Sequence, residues 1–377
     1  MSNVPKLRFK EFSGEWEEKS IGKVLTVGSG KDYKHLSDGN IPVYGTGGYM
    51  LSVNDYLYDG ESVGIGRKGT IDKPMFLSGK FWTVDTLFYT HTFVNSLPKF
   101  IYPIFQRINW KLYNEASGVP SLSKGTIEKI KISIPSKQEQ EKIASFLTSV
   151  DAKIEQLTKK EKLLQQYKKG VMQKIFNQEI RFKADDGSEF CDWEEYSLND
   201  FLITTLREIE KPKENYLAIG VRSHCKGTFQ KPDSEPDKIA MDKLYVVKEN
   251  DLIVNITFAW ESAIAIVKKE DENGLVSHRF PTYTFNEMIT NSKYFKYVII
   301  QKRFRIMLDL ISPGGAGRNR VMSKKDFLTL NWELPCIEEQ TKIATFLSSI
   351  DFKIEQVQKQ LNSTKEFKKA LLQQMFV

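Results

Sequence analysis

The sequence contains little cysteine or histidine, and neither residue is arranged to hold a metal or a disulfide framework. The cysteines, Cys191, Cys225 and Cys336, lie far apart and form no Cys-x-x-Cys pair, which favours a reducing cytoplasm. The histidines show no metal-ligand spacing, and we expect each of them to make an ordinary polar contact: His35, His91, His224 and His278.

Long apolar runs are also absent. No stretch of about 18 apolar residues, the length of a membrane-spanning helix, occurs in the chain. Residues 1–10 have no apolar core of the kind found in signal peptides. We therefore expect a cytoplasmic protein that is not embedded in a membrane.

Catalytic motifs are missing as well. Residues 64–69 match Gly-x-Gly-x-x-Gly, but Pro74 argues against the helix that must follow to present its N-terminus to a pyrophosphate. Residues 28–31 lack the first glycine of a P-loop and precede Asp32, where serine or threonine is needed. No Asn/Asp-Pro-Pro-aromatic tetrapeptide marks an amino-methyltransferase centre. We predict that the chain is non-catalytic and binds no cofactor and no metal itself.

The composition is that of a folded soluble protein, with 40% hydrophobic and 27% charged residues. The formal net charge of +7 weakly favours an anionic partner such as nucleic acid. A mildly basic protein with another kind of partner has the same balance.

An internal repeat organises the chain. Residues 135–156 (PSKQEQEKIASFLTSVDAKIEQ) align without a gap to residues 335–356 (PCIEEQTKIATFLSSIDFKIEQ) at an offset of 200. A weaker echo pairs Arg-Phe-Lys and Trp-Glu-Glu at residues 8–10 and 16–18 with the same strings at 181–183 and 193–195. The chain therefore divides into two halves of similar plan.

The repeated segments carry a sustained seven-residue apolar repeat, which predicts two long helices with coiled-coil seams. Pro135 and Pro335 stand just before the helices begin. Lys168 and Lys368 interrupt the second apolar row at equivalent positions. We predict that the helices pair as an antiparallel coiled coil with pseudo-twofold symmetry; alternatively, each helix only caps its own domain. The predicted pairing seam consists of Ile143, Leu147, Val150, Ile154, Leu157, Ile343, Leu347, Ile350, Ile354 and Val357.

The segments before the helices show short β-branched and aromatic runs separated by glycine turns, with a few helical stretches. These patterns predict a mixed α+β fold with two globular domains, each followed by a long helix. The predicted division is a first globular domain over 1–136, a first helix over 137–178, a second globular domain over 179–336 and a second helix over 337–377. The helices match in sequence and the globular parts diverge, so the helices should engage matching partners and the domains should bind different things.

This layout resembles the specificity subunits of type I restriction-modification enzymes. The helix starts EQEKIASFL and EEQTKIATFL, the glycine strings at 42–48 and 64–70, and the string at 313–318 are similar to segments of that family. The resemblance covers nearly the whole chain. It implies a bacterial defence protein that reads a bipartite double-stranded DNA site and docks two methyltransferase subunits, which are joined by motor-nuclease subunits. S-adenosylmethionine, ATP and Mg²⁺ would then belong to those partners.

Lysine and arginine contact phosphates, and arginine, asparagine and glutamine read base edges. We therefore choose polar side chains beside the glycine turns as DNA contacts. The Arg-Asn-Arg triplet at 318–320 is the strongest of these candidates, although a solvated surface loop has the same composition; likewise, the turn at 66–70 could be a plain hairpin turn. The candidates are Lys31, Lys34, Tyr44, Thr46, Arg67, Lys68 and Thr70 in the first domain, and Arg222, His224, Arg279, Arg318, Asn319 and Arg320 in the second.

A second function fits the same patterns. A coiled-coil scaffold whose two domains bind proteins or other ligands would also show heptads and mixed domains. A salt titration separates the two functions, because DNA binding weakens steeply with salt.

Overall fold

The computed structural model describes residues 3–312, 314 and 320–377. The chain forms two compact units, unit 1 (Met1–Leu163 with Glu355–Val377) and unit 2 (Leu164–Ile354). Both units mix helices and strands, which confirms the predicted α+β class. The boundaries of these two units do not coincide with those of the four predicted segments. Each unit contains the start of one long helix and the end of the other.

Unit 1 builds its globular part from short strands and helices. In chain order they are β1 (Glu17–Ser20), α1 (Ile21–Val24), β2 (Thr26–Ser29), β3 (Asp38–Gly45), β4 (Gly48–Val53), β5 (Tyr58–Asp59), β6 (Ser62–Gly66), β7 (Met75–Leu77), β8 (Lys80–Thr83), β9 (Leu87–His91), α2 (Pro98–Arg107), α3 (Lys124–Lys129) and β10 (Lys131–Ile134). The long helix α4 (Lys137–Phe176) follows.

The strands of unit 1 form two four-stranded sheets and one pair. The sheet orders are β2-β9-β6-β7 and β4-β3-β8-β5, and β1 pairs with β10. The pair is antiparallel with Glu17 opposite Ile134, so the start of the domain is fastened to the strand that leads into α4. All five residues of β6 are buried, with Val63 and Ile65 fully so; because successive residues of a strand point to opposite faces, both faces of this strand are covered.

Unit 2 follows a related plan. Its elements are β11 (Glu194–Ser197), α5 (Leu198–Phe201), β12 (Leu202–Thr204), β13 (Glu208–Glu210), β14 (Tyr216–Val221), β15 (Thr228–Ser234), β16 (Lys243–Val246), β17 (Leu252–Val254), β18 (Ile264–Ile266), β19 (Leu275–Val276), β20 (Thr282–Phe285), α6 (Ser292–Val298), α7 (Lys302–Leu310), α8 (Lys324–Leu328), β21 (Asn331–Leu334) and the long helix α9 (Ile337–Gln374).

The sheets of unit 2 have the orders β12-β20-β17-β18 and β13-β16-β19-β14-β15. The pair β11 and β21 is antiparallel with Glu194 opposite Leu334, which matches the pair of β1 and β10 in unit 1. The framework at the helix start is therefore repeated, whereas the second sheet differs in strand number and order.

The predicted seam residues are buried, except that Ile154 and Ile354 are half-buried. They pack both against the globular domain and against the other long helix. In unit 1, Ile143 and Leu147 share one apolar cluster with Phe100 of the domain and with Leu371 and Met375 near the end of α9. The stripe of each helix is thus covered by its own domain and, within the same unit, by a segment of the other long helix.

A buried carboxylate in the first turn of α4 organises unit 1. The side chain of Glu139 is 2% exposed and accepts hydrogen bonds of 2.8 Å from Nε and from Nη2 of Arg8. The indole Nε1 of Trp16 donates to the same carboxylate at 3.3 Å. The hydrogen bond to Glu139 raises the pKa of Arg8 above its usual range. Charge-assisted bonds of this kind compensate the burial of the carboxylate.

Unit 2 repeats this arrangement with equivalent residues. Glu339, whose side chain is fully buried, accepts from Nε of Arg181 at 2.9 Å and from Nη2 at 2.8 Å. Trp193 Nε1 donates to it at 3.3 Å, and the bond to Glu339 raises the pKa of Arg181. The faint echo of Arg-Phe-Lys and Trp-Glu-Glu in the two halves is therefore the signature of one buried contact made twice.

The next residue in each copy, Gln140 or Gln340, ties the start of the long helix to the loop that precedes α2 in unit 1 or α6 in unit 2. Gln140 accepts from the amide of Leu97 at 3.0 Å and donates to the carbonyl oxygens of Asn95 and Pro135, each at 3.0 Å. Gln340 accepts from Thr290 Oγ1 at 2.7 Å and donates to the carbonyls of Ile289 and Pro335. Both amides are fully buried.

The ends of the long helices are fastened by aromatic contacts. Phe376 meets Trp16 edge to face at 6.1 Å in unit 1, and Phe176 meets Trp193 edge to face at 6.2 Å in unit 2. Since each tryptophan also binds the glutamate in the first turn of a long helix, the end of one helix segment lies at the start of the other. The two segments of each unit therefore run antiparallel.

Within the described part of the chain, no helix is both long and apolar enough to cross a membrane.

We expect Glu139→Ala and Glu339→Ala to lower the free energy of unfolding by about 3–5 kcal/mol, because each change leaves a guanidinium without its buried partner. Glu355→Ala is the control: this exposed glutamate pairs only along its own helix with Lys359 and should cost about 0.5 kcal/mol or less. Urea unfolding followed by circular dichroism measures all three. Glutamate variants as stable as the control would contradict the role of the buried carboxylates.

Candidate nucleic-acid interface

In unit 1 the predicted contact residues gather around one short segment, residues 83–86. The amide of Lys31 donates to the carbonyl of Thr83 at 2.9 Å, and the carbonyl of Tyr44 accepts from the amide of Val84 at 3.0 Å. The amides of Arg67 and Lys68 both donate to the carbonyl of Thr86, at 2.8 and 3.2 Å. The structure therefore brings together the glycine turns that the sequence separates.

Glycine at two positions allows neighbouring backbone segments to lie this close together. A Cβ on Gly66 would lie 2.0 Å from the carbonyl oxygen of Thr70, and a Cβ on Gly30 would lie 1.9 Å from that of Val84. Gly69 has a positive φ of 93°, and its amide donates to the carbonyl of Pro120 at 2.8 Å. The turn 66–70 is thus a tight, fixed loop whose side chains point away from a crowded backbone.

Arg67 and Lys68 are exposed on this loop. The guanidinium of Arg67 lies 5.9 Å from the centre of the Phe88 ring and 3.4 Å from the carbonyl oxygen of Asp85. Neither contact involves an acidic side chain. Both cations line a groove of about 730 Å³, so they are available to an anionic ligand.

The same groove contains residues that the sequence interpretation missed. Lys124 lines it beside Ser29, Ser121 and Ser123, with Glu115 as the acidic member. Hydrogen bonds from the hydroxyl groups of Thr126 and Ser123 lower the pKa of Glu115. These bonds stabilise the ionised carboxylate. The pKa of His91 is lowered mainly by burial. The positive charge of Lys124 lowers it further.

Lys124 could have been found from the repeat. Extended backwards at the same offset of 200, the alignment pairs Ser123-Lys124 with Ser323-Lys324. The structure repeats this detail, because Ser123 caps α3 through the amide of Thr126 and Ser323 caps α8 through the amide of Asp326. The segment before α8 carries the Arg-Asn-Arg triplet that marks a candidate contact, whereas the equivalent segment before α3 carries no such triplet.

The other candidate contacts of unit 1 lie in or next to these turns. Tyr44 meets Tyr49 edge to face at 6.5 Å, and Tyr49 is 63% exposed. Thr46 occupies the turn between β3 and β4, and its Oγ1 would lie 3.9 Å from a Cβ on Gly69. Lys34 is exposed in the turn before β3, and Thr70 closes the 66–70 loop.

In unit 2 the described candidates surround residues 256–262. Arg279 Nη1 donates to Thr257 Oγ1 at 3.2 Å, and the amide of His224 donates to the carbonyl of Glu261 at 2.7 Å. The guanidinium of Arg320 lies 5.2 Å from the ring centre of Trp260. Arg222 stands apart in the β14–β15 turn, 5.0 Å from the Phe229 ring centre, with its Nη1 donating to Thr228 O at 2.8 Å.

Arg320 has structural partners. Its Nε donates to the carbonyl of Ser312 at 3.0 Å, and its Nη2 donates to Asp309 Oδ1 at 2.7 Å. It therefore fastens the end of α7, and its role as a DNA contact stays a prediction. Arg318 and Asn319 lie outside the described residues. Two cations of α7 that the sequence interpretation missed, Lys302 and Arg305, line a groove of about 580 Å³ with Arg320.

Catalytic alternatives gain no support from this geometry. Residues 70–74, which follow the Gly-x-Gly-x-x-Gly string, are not helical, and β7 begins at Met75, as Pro74 predicted. Among the described residues, no three histidine, cysteine or acidic side chains come together as metal ligands would. Burial raises the pKa of the Cys225 thiol to about 11, which disfavours the nucleophilic thiolate.

Comparison with known proteins places these features in context. The family described as the type I restriction modification DNA specificity domain matches residues 13–166 and 191–365. The MjaVIII type I restriction enzyme specificity subunit of Methanocaldococcus jannaschii is 24% identical over 344 residues, which cover 86% of this chain and 78% of that protein. The crystal structure of a type I restriction-modification S subunit from M. genitalium superposes with a TM-score of 0.65 at 14% identity, over 99% of each chain, so the fold is shared.

We expect Gly66→Ala to destabilise unit 1 by about 1–3 kcal/mol, because the new methyl group collides with the Thr70 carbonyl and the 67–70 loop must move. Gly47→Ala is a matched control in the neighbouring turn, since a Cβ there meets nothing within 4 Å; we expect a change of about 0.5 kcal/mol or less. Chemical unfolding of both variants measures the difference. Equal stabilities would show that the 66–70 loop is not the tight structure described.

Proposed function

We propose that this chain, which belongs to the type I restriction-modification DNA specificity family, is the DNA-recognition subunit of a type I restriction-modification complex. The family assignment rests on matches that together cover most of both halves. In this role the chain carries out no bond-breaking chemistry. It selects the DNA site at which partner subunits act.

The observation that carries this proposal is the contrast between repeated scaffold and unlike loops. Glu139 and Glu339 make the same buried contacts in the two units. The candidate contact loops, by contrast, are built around different segments, 83–86 in unit 1 and 256–262 in unit 2. Each recognition domain would therefore read one half of a bipartite double-stranded DNA site, and the two halves would differ in sequence.

The charged side chains of these loops suit DNA. Arg67, Lys68 and Lys124 line one groove, and Lys302, Arg305 and Arg320 line another. Lysines supply phosphate contacts, and arginines can also read guanine in the major groove. A scaffold that binds proteins would need an acidic partner to fill such grooves, whereas every DNA duplex presents phosphates, so DNA recognition is the better account.

The repeated helices would serve as docking sites for two copies of one partner, the methyltransferase subunit. Equivalent positions of the repeat expose an aromatic ring, with Tyr167 55% and Phe367 51% accessible. Exposed aromatic side chains are frequent anchors of protein interfaces. The motor-nuclease subunits would join through the methyltransferase subunits, and S-adenosylmethionine, ATP and Mg²⁺ would bind to those partners.

We further propose that α4 and α9 pair along their length as an antiparallel coiled coil with pseudo-twofold symmetry. The antiparallel contacts within each unit and the equivalent aromatic ends support this pairing. Two equivalent docking sites related by a twofold axis would follow from it.

We expect native mass spectrometry of the chain co-expressed with its methyltransferase subunit to show two methyltransferase subunits per chain, and the purified chain alone to methylate no DNA. Tyr167→Ala and Phe367→Ala should each weaken one of the two docking events, and the double variant should weaken both. A stable one-to-one complex, or methylation by the chain alone, would contradict the proposed role.

A second prediction concerns the two recognition domains separately. We expect Arg67→Ala to lower DNA affinity by about 1–3 kcal/mol and to relax specificity in one half-site, with Arg318→Ala acting on the other half-site. Each variant is the matched control for the other. Fluorescence anisotropy with half-site substitutions at several salt concentrations measures both effects. A uniform loss of affinity with a salt slope reduced by about 1 would instead mark the arginine as a phosphate contact, and unchanged binding would remove these assignments.

A further inference from the structure

Two lysines interrupt the apolar rows of the long helices, and both are largely buried. The side chain of Lys168 is 20% exposed and that of Lys368 is 16% exposed. A lysine side chain with so little exposure in an apolar row is stabilised by an acidic partner. In unit 2, Lys168 Nζ is paired with Asp351 Oδ1. In unit 1, Lys368 Nζ is paired with Asp151 Oδ1 at 2.6 Å.

The two ion pairs are copies of one another under the repeat. Lys168 and Lys368 are 200 residues apart, as are Asp151 and Asp351. Each pair joins α4 to α9 within one unit, and in each pair the lysine stands in the later half of its helix and the aspartate in the first half of the other. The same interhelical contact is therefore made twice.

In unit 2 the aspartate is also connected to its domain through a tyrosine of a short helix. In unit 2 the hydroxyl of Tyr297 in α6 donates to Asp351 Oδ2 at 2.8 Å, and Lys168 Nζ lies 5.3 Å from the centre of the same ring. In unit 1, burial raises the pKa of Tyr102 in α2, and the charge of Asp151 raises it further. The ion pair of unit 2 thus links the two long helices to the body of that unit.

These ion pairs, together with the aromatic contacts at the helix ends, favour one register. A slip of seven residues would keep the apolar rows facing each other, so the rows alone do not forbid it. In one direction the slip would place Lys168 opposite Ala344 and Lys368 opposite Ala144; in the other it would place them opposite Gln358 and Thr158. Neither slip places a carboxylate directly opposite the lysine, and a polar residue within an apolar seam is a known means of fixing register.

We infer that Lys168–Asp351 and Lys368–Asp151 are register-setting ion pairs, which hold α4 and α9 in a single antiparallel alignment and thereby keep the spacer between the two DNA half-sites at one length. The part of this inference that concerns the spacer rests on the proposed function. The lysines and aspartates are positioning residues, since they act on the helix alignment rather than on DNA.

The direct test is Lys168→Leu combined with Lys368→Leu, which completes the apolar rows and removes the charges. Spin labels introduced with an unnatural amino acid at Gln156 and Ser363, both exposed in unit 1, report the alignment through pulsed dipolar distance measurements. The unaltered chain should give one narrow distance. The leucine variant should remain folded and add a second population, since a seven-residue slip moves one helix by about 10 Å along the other.

The functional readout uses the full chain and a pool of duplexes whose half-sites are separated by spacers of different length. The unaltered chain should select one spacer length, and the leucine variant should select at least one further length with affinity within about tenfold of the first. Exchanging the charges in both pairs (Lys168→Asp with Asp351→Lys, and Lys368→Asp with Asp151→Lys) should restore a single length. Lys153→Leu with Lys353→Leu, at exposed equivalent positions, is the matched control and should leave the spacer unchanged.

The two readouts separate two kinds of failure. A leucine variant that keeps one distance population and one spacer length would overturn the register role. An unaltered chain that selects no bipartite site would contradict the proposed function, and the distance measurement would still decide the register. A leucine variant that fails to fold would also count against the inference, because an apolar side chain should be well accepted in an apolar row.

Discussion

The burial of one carboxylate at the start of each long helix is the constraint on which the rest of the structure depends. A charge buried to this degree is tolerated only when charged and neutral donors surround it. Glu139 and Glu339 obtain those donors from an arginine and a tryptophan that precede the domain in the chain. The domain must therefore close back onto the helix that follows it, and the tryptophan also receives the end of the other long helix in that unit.

This constraint separates what the two halves share from what they do not. The strand pair, the helix-start glutamine and the aromatic helix end all serve the same buried site, so they recur in both units. The loops around 83–86 and 256–262 take no part in it and are free to differ. A scaffold that is fixed by internal contacts, with variable loops mounted on it, is a physical basis for changing what each domain binds without changing the assembly.

Much of the framework could be predicted from the sequence, because heptads, Pro135 and the offset of 200 are local or periodic signals. The role of the Arg-Phe-Lys and Trp-Glu-Glu strings could not, since it depends on contacts more than 100 residues away. Lys168 and Lys368 looked like interruptions because their aspartate partners lie on another helix.

The candidate interface was predicted less completely. Glycine turns pointed to Arg67 and Lys68, which the structure places in one groove with Lys124. Lys124 precedes Gly125, but that glycine lies within α3 rather than in a turn, so only the offset of 200 marks the position. Arg320 looked free in sequence, yet it binds the end of α7, because hydrogen-bond partners across a loop leave no periodic signal. The sequence therefore located the loops better than it assigned individual side chains.

The most direct test of the account is base-resolution mapping of DNA methylation in the host genome, with and without the gene for this chain. The account predicts one methylated motif composed of two unlike half-sites with a spacer of constant length, and its complete disappearance when the gene is removed. Methylation that is unchanged by removal, or a lost motif that is continuous rather than bipartite, would contradict it.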